Sequence, residues 1–266
     1  MYNQFYSLLE NPFSVTCDPT FFFPSSRHEE AFSHLLYGIQ SRKGIIVITG
    51  EIGTGKTTLC RTLLNRLDQK TKTAFILNPS FSDIELLQLI VKDFGIRSNA
   101  TSKLELVETL NNFLLEETSR GNNVAIIIDE AQNLDVRQLE QVRLLSNLET
   151  EKEKLLQIVL VGQPELSDQL RLPELKQLNQ RVCVRYHMLP LEESEVKAYV
   201  DHRIKVAGAA GKIYFTDEAI KTIYLHSDGT PRLINILCDR ALLAGFIEET
   251  FIITDQIINQ CAREVK

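Results

Sequence analysis

The sequence predicts an α/β fold: a mainly parallel five-stranded sheet flanked by helices, followed by a small C-terminal helical domain. Three observations predict it. The runs Ile45-Ile46-Val47-Ile48, Val124-Ala125-Ile126-Ile127-Ile128 and Ile158-Val159-Leu160-Val161 are continuously apolar rather than alternating, as strands covered on both faces are. Up to about residue 190 such strands alternate with helix-patterned segments, which is the order that builds parallel sheets. Beyond Leu189-Pro190-Leu191 the helical period continues with no strand of length. The expected domains are therefore residues 1–191 and 192–266.

Taken in order, the opening stretch from Leu8 to Pro24 carries three prolines and several aromatics, and is expected to be irregular and packed on the domain. Two roles stand open for it: a plain N-terminal strap, or a lid over the base of a bound nucleotide. Ser26 with Glu29 has the spacing of a capping box, and Phe32, Leu35, Leu36 and Ile39 follow on one helical face. After the first strand, Leu59, Leu63, Leu64 and Leu67 continue a helix. Thr73-Ala74-Phe75-Ile76-Leu77 reads as a second strand closed by Asn78-Pro79. Ser82/Glu85 and Ser102/Glu105 each open a further helix with a capping box. A helix over 135–148 follows the third strand, with Leu139, Val142 and Leu145 on one face. A Leu-rich helical stretch follows the fourth, and Val182-Cys183-Val184-Arg185-Tyr186 is the fifth strand. The C-terminal helices are expected over 193–207, 216–226, 231–247 and 254–265, with Thr216 and Thr254 as N-caps and Pro231 in a first turn.

The chemistry begins where the first strand ends. Gly50-Glu51-Ile52-Gly53-Thr54-Gly55-Lys56-Thr57-Thr58 contains G-x-x-x-x-G-K-T between a strand and a helix, the setting that marks a phosphate-binding loop. Glycines let successive N–H groups turn inward as an anion nest, and the following helix adds its positive end. Lys56 supplies a mobile charge for the outer phosphates and Thr57 a hydroxyl for Mg2+. A nucleoside triphosphate is the ligand such a loop takes.

Composition bounds the rest. The 266 residues are 44% hydrophobic and 24% charged, which is ordinary for a water-facing globular chain. No apolar run approaches the ~18–20 residues of a membrane span, and the first residues lack the pattern of a signal peptide. The five scattered cysteines have no metal-ligand or disulfide spacing and read as reduced residues of a cytoplasmic protein. A net charge of −6 runs against duplex DNA as a partner, because phosphate neutralisation needs lysines and arginines.

Asp129-Glu130 closes the third apolar strand, and strand ends are where ligands sit in open α/β sheets. Alternation along a strand would send the two carboxylates different ways, Asp129 to the Mg2+ shell and Glu130 to the attacking water as general base. Gln163, after the fourth strand, could help place that water; its plainer role is a turn residue before Pro164. Arg181 and Arg185 flank the start of the fifth strand, and either guanidinium, offered across a subunit boundary, could stabilise charge on the γ-phosphoryl group; Arg181 is the first choice. Asp228-Gly229-Thr230-Pro231-Arg232 places Arg232 in the first turn of a helix, from which it could reach the phosphates.

Together these pieces resemble the AAA+ ATPases, a branch of the P-loop nucleotide hydrolases. The likeness is closer still to the general secretion pathway protein A, or ExeA, group. The residues that carry it are Asn11-Pro12-Phe13, the phosphate loop, Asp129-Glu130-Ala131-Gln132, Val161-Gly162-Gln163-Pro164-Glu165-Leu166, Leu178-Asn179-Gln180-Arg181 and Gly229-Thr230-Pro231-Arg232-Leu233-Ile234-Asn235. The resemblance implies that Gln163 is the sensor 1 residue, Arg181 the arginine finger, Arg232 the sensor 2 residue, and residues 192–266 a helical lid. It also implies ATP hydrolysis with Mg2+ in a homo-oligomeric ring. Such rings assemble secretion or polysaccharide-export machinery at the cytoplasmic face of the inner membrane. Many relatives carry a transmembrane helix and a periplasmic region after the ATPase part, which this sequence does not include. Two alternatives stay open: a DNA-associated regulator of the transposition-helper or replication-initiator type, and a nucleotide-bound scaffold with negligible turnover.

Overall fold

Hydrophobic patterning places the strands. The computed structural model describes residues 2–77, 79, 81–151, 153–209, 211 and 213–265; Asn78, expected to close the second strand, lies outside them. Among the described residues, β1 (Ile45–Gly50), β2 (Thr71–Ile76), β3 (Asn123–Ile128), β4 (Gln157–Gly162) and β5 (Val182–Met188) form one parallel sheet in the order β2-β3-β4-β1-β5. β1 and β4 are buried at every position, as their unbroken apolar runs require of strands covered on both faces. The edge strand β5 alternates instead between buried and exposed side chains. β4 pairs with β1 from Ile45↔Ile158 to Thr49↔Gly162 and with β3 up to Ile128↔Leu160. This register brings the carboxyl ends of β3, β4 and β1 side by side at one edge of the sheet.

The chain divides into two compact units, one formed by Glu29–Glu51 and Thr62–Met188, the other by Met1–His28, Ile52–Arg61 and Leu189–Lys266. The expected domains followed chain order, whereas these units interleave.

The sheet unit packs β1, β3 and β4 against α4 (Asp83–Asp93), α5 (Lys103–Ser119) and α6 (Val136–Leu145), through residues such as Ile126, Leu160, Leu87, Leu110 and Leu139. Each fully buried Leu or Ile contributes roughly 1.5–3 kcal/mol. Local chemistry starts these helices. Ser82 and Ser102 make reciprocal capping boxes with Glu85 and Glu105, and Asp135 makes one with Gln138. The expected helix over 135–148 is thus α6, which starts one residue later and stops three residues earlier, where Ser146 takes the C-cap. The stretch after β4 breaks into α7 (Pro164–Leu170), a 3-10 turn at Pro173–Leu175 and α8 (Lys176–Gln180).

In the other unit α9 (Glu193–Val206), α10 (Asp217–Ser227), α11 (Pro231–Ile247) and α12 (Asp255–Val265) surround Val196, Val200, Ile223, Ile234, Leu242 and Ile258. Two short strands, β6 (Tyr214–Phe215) and β7 (Ile252–Ile253), also pair there in parallel; two residues are too few to show a period. The N-terminal segment completes this core. Beginning as α1 (Tyr2–Phe5), it buries Tyr6 and Phe13 completely among the C-terminal helices. The Tyr6 hydroxyl lies 3.1 Å from the carbonyls of both Leu242 and Thr250. Asn11 Nδ2 donates to Asp239 Oδ1 over 2.9 Å, and the Tyr2 hydroxyl donates to the same oxygen. Arg203, buried on α9, donates to the carbonyls of Pro12 and Ser14 and stacks over Phe21. These contacts are those of a strap, and they explain why residues 1–28 group with the C-terminal helices.

α2 (Ser26–Gln40) corrects one expectation. Ser26 is inside the helix rather than its cap, because its N–H and hydroxyl both donate to Glu195 Oε1. Ser25 caps instead, its Oγ accepting from the His28 N–H over 3.3 Å. No helix among the described residues is long and apolar enough to cross a membrane.

Candidate nucleotide site

The phosphate loop runs from the end of β1 into α3 (Lys56–Arg66), whose first turn holds Lys56, Thr57 and Thr58. Gly53 and Gly55 adopt φ of 83° and 96°, the left-handed conformation that the sequence pattern demanded. When a loop turns its N–H groups inward around an anion, its carbonyls must find partners on the outside. Two do. The Gly53 carbonyl accepts the backbone N–H of Arg232 over 3.2 Å, and the Thr54 carbonyl lies 3.1 Å from His28 Nε2. Packing at the first contact is tight, since a Cβ on Gly53 would lie 2.6 Å from the Cβ of Arg232.

His28 was not among the expected site residues. A carbonyl only accepts, so Nε2 carries the hydrogen toward Thr54. Nδ1 sits 2.6 Å from Ser25 Oγ, and the ring meets Phe22 edge-on. Burial holds the His28 pKa below its ordinary value, which favours the neutral ring this arrangement uses. Its neighbours Ser25, Arg27 and Glu29 look like the start of an amphipathic helix, and nothing local points to residue 54.

Arg232 is brought to the loop by a turn rather than by its side chain. Asp228 and Gly229 both take positive φ, and a Cβ on Gly229 would fall 2.0 Å from the Leu191 carbonyl oxygen, so only glycine fits there. Thr230 then caps α11, Pro231 starts it, and the Arg232 side chain is exposed.

At the sheet edge, β3 stops at Ile128, one residue earlier than the strand alternation argument for Asp129 and Glu130 assumed. Backbone conformation separates the two carboxylates instead. Asp129 is 1% exposed; its N–H extends the ladder to Ile76, and its Oδ1 accepts the Glu130 N–H over 3.0 Å. Glu130 takes the left-handed conformation, φ 54° and ψ 39°, which is uncommon for a residue with a Cβ and costs on the order of 1–3 kcal/mol. Strain of this kind concentrates where a side chain must be aimed.

The Glu130 carboxylate is held. Its Oε2 accepts from Gln132 Nε2 at 2.6 Å and from Gln163 Nε2 at 3.3 Å. Gln163 occupies the N-cap position of α7 at the end of β4, and its side chain meets Glu130 directly, a contact the sequence did not announce. Arg181 caps the C-terminus of α8 through its backbone and is half-buried. Arg185 is committed elsewhere: its Nη2 reaches the carbonyl and Oδ1 of Asn179, and burial together with the nearby Arg171 lowers its pKa.

Mg2+ keeps several waters and takes one or two protein oxygens beside the phosphates, and the buried Asp129 carboxylate is the kind of ligand it uses. No cluster of three or more histidines, cysteines or carboxylates forms a closed metal cage among the described residues.

Comparison with known proteins decides the family. A family model described as "AAA domain" matches residues 39–170. General secretion pathway protein A of Aeromonas hydrophila is 46% identical over all 266 residues, which is 100% of this chain and 48% of that protein. The chain is an AAA-domain relative of general secretion pathway protein A. It spans about half the length of that relative. Among solved structures, the Aeropyrum pernix ORC2 protein in its ADPNP–ADP complexes aligns with a TM-score of 0.69 at 16% identity, covering 92% of this chain and 71% of that one. The Thermotoga maritima RuvB Holliday junction branch migration motor aligns at 0.60 and 17%, covering 91% and 70%. At such identities the likeness is one of fold. In this AAA chain the family model spans β1, the phosphate loop, β3 and β4 but stops short of Arg181 and Arg232. Gln132, part of the family signature but given no role from sequence, donates to the Glu130 carboxylate over 2.6 Å.

Proposed function

We propose that this AAA chain binds ATP with Mg2+ and hydrolyses it, acting as a homo-oligomer. The observation that carries the hydrolytic reading is the Glu130 carboxylate, set in left-handed backbone and fixed by two side-chain amides at the edge where β1 leads into the phosphate loop. On this reading the inward N–H groups of residues 50–58 take the phosphates and Lys56 neutralises the outer ones. Thr57 and Asp129 would hold Mg2+, which when bound neutralises charge on the β- and γ-phosphates. Glu130 accepts a proton from water as its oxygen attacks the γ-phosphorus, the bond to the β–γ bridging oxygen breaks, and ADP and phosphate leave. Gln163 orients the water, Arg232 answers the phosphate charge from α11, and Arg181 is offered to a neighbouring subunit's nucleotide.

Replacing Glu130 by Gln keeps the size and removes the base. Nucleotide affinity is expected to stay within about threefold while turnover falls by roughly 10²-fold or more, the range for losing a general base; unchanged turnover overturns the reading. For the oligomer, activity per subunit should rise with protein concentration, and Arg181→Ala should flatten the rise. A wild type without concentration dependence overturns the shared site.

The Aeromonas relative is named for the general secretion pathway, which supports assembly of a secretion complex; polysaccharide export and the inner face of the cytoplasmic membrane are what the family resemblance adds. A second reading, a DNA-associated regulator, would share its fold with the RuvB Holliday junction branch migration motor, and is opposed by the net charge of −6. ATP-dependent, salt-sensitive retention of duplex DNA in a gel-shift assay would promote it.

A further inference from the structure

We propose that Gln132 is a positioning residue for hydrolysis, a two-ended amide that locks the general base to the end of β4. The proposal rests on the reading of Glu130 as that base. Gln132 lies in the 3-10 turn Ala131–Asn133, two residues beyond Glu130. Its Oε1 accepts the backbone N–H of Gln163 over 3.0 Å, and its Nε2 donates to Glu130 Oε2 over 2.6 Å. The chemistry of the partners fixes which end is which. A backbone N–H can only donate and a carboxylate can only accept, so the amide has one orientation that satisfies both. The turn itself is pinned, because the Gln132 carbonyl accepts Gln169 Nε2 from α7 over 3.0 Å. Gly162 makes the room: a Cβ there would come within 2.8 Å of Gln132 Oε1.

Two consequences follow for the base. Gln132 and Gln163 both address Oε2, which leaves Oε1 as the oxygen to take the proton from water. The carboxylate is also tied to the same backbone amide that begins Gln163, so the base and the water-orienting residue are set relative to each other through one side chain. A group misplaced by about 1 Å can cost 10²-fold in rate without any change in binding. Gln132 therefore acts on kcat through Glu130, and not on nucleotide affinity.

The test uses the full chain with steady-state ATP turnover, affinity for a fluorescent non-hydrolysable ATP analogue, and thermal unfolding. Gln132→Ala removes both ends of the amide. Gln132→Glu keeps the length and the acceptor for the Gln163 N–H, but sets a carboxylate against Glu130. Both are expected to lower kcat 10- to 100-fold with KM and analogue affinity within twofold of wild type. In a Glu130→Gln background, Gln132→Ala should cost less than a further twofold, because the group it positions is already gone. Wild-type kcat in Gln132→Ala and Gln132→Glu, with Glu130→Gln inactive, overturns the positioning role alone. An active Glu130→Gln overturns the base and the positioning role together. Equal losses from Gln132→Ala in both backgrounds, or a loss of affinity that parallels a loss of thermal stability, assign Gln132 to structure and overturn the proposal. Should Gln132→Ala fail to fold, Gln132→Glu and its double variant with Glu130→Gln decide the matter.

Discussion

Replacing Gly53 by alanine tests how the phosphate loop is held. Gly53 has φ 83°, where a residue with a Cβ costs roughly 1–2 kcal/mol. The new Cβ would also lie 2.6 Å from the Cβ of Arg232 and 3.2 Å from Thr230 Cγ2. Neither is the far end of a flexible chain, so the loop and the start of α11 must separate. Separation stretches the bond from the Arg232 N–H to the Gly53 carbonyl, already 3.2 Å long, and an ordinary hydrogen bond contributes about 0.5–1.5 kcal/mol. Together these span about 1.5–3.5 kcal/mol and centre on about 2–3 kcal/mol against the binding-competent loop. Since apparent affinity falls with the fraction of competent molecules, nucleotide binding should weaken by roughly 30- to 150-fold.

Titration with a fluorescent ATP analogue measures this directly. Gly121→Ala is the control: its φ of 77° imposes the same backbone strain, but nothing lies within 4 Å of the added Cβ. It should lower stability by about 1–2 kcal/mol and leave nucleotide affinity alone. Affinity in Gly53→Ala within threefold of wild type would refute the claim that contact with Arg232 shapes the loop.

Two further expectations concern stability. Arg203→Ala removes a guanidinium that is 6% exposed and donates to the carbonyls of Pro12 and Ser14 and to the Tyr199 hydroxyl, so roughly 3–5 kcal/mol and on the order of 10 °C in Tm should be lost, with the strap released to proteolysis; an unchanged Tm would show that the strap is held otherwise. Acid should act through His28 and His202, both held below the ordinary histidine value, chiefly by burial. Each stays neutral in the fold while the unfolded chain takes up a proton below about pH 6.5, so their contribution is whole above that pH and is lost as pH falls toward the depressed folded-state values. The urea midpoint should therefore drop between pH 7.5 and 5.5, and less so in His28→Asn; a flat profile contradicts it.

Much of this molecule was legible because the signals were local. The run from Ile45 to Gly50, the glycines at 53 and 55, and the capping boxes at Ser82 and Ser102 each draw on residues a few positions apart, and each formed where the spacing put it. Reading failed where a distant residue claimed a local one. Ser26 has the spacing of a cap, yet Glu195 takes both its N–H and its hydroxyl, and the cap passes to Ser25. The units interleave for the same reason, because Tyr6 and Phe13 fill a core whose other members begin at Leu191. Glu130 stands out in the sequence by its place after an apolar strand, while its left-handed backbone and its contact with Gln132 depend on a turn that only the fold displays.

The same contrast explains why the phosphate loop should respond to changes far along the chain. Its sequence fixes which residues can turn their N–H groups inward, but it cannot supply partners for the carbonyls that then face outward. Those partners are His28, at the end of the strap, and the backbone of Arg232, at the start of α11. Neither partner needs to touch a phosphate to matter: each removes the cost of an unpaired carbonyl and so favours the conformation in which the nest exists. Perturbing the strap through His28 and perturbing α11 through Gly53 should therefore converge on one observable, nucleotide affinity, whereas Gln132, whose side chain joins the Glu130 carboxylate to the Gln163 N–H, should leave affinity alone and act on turnover.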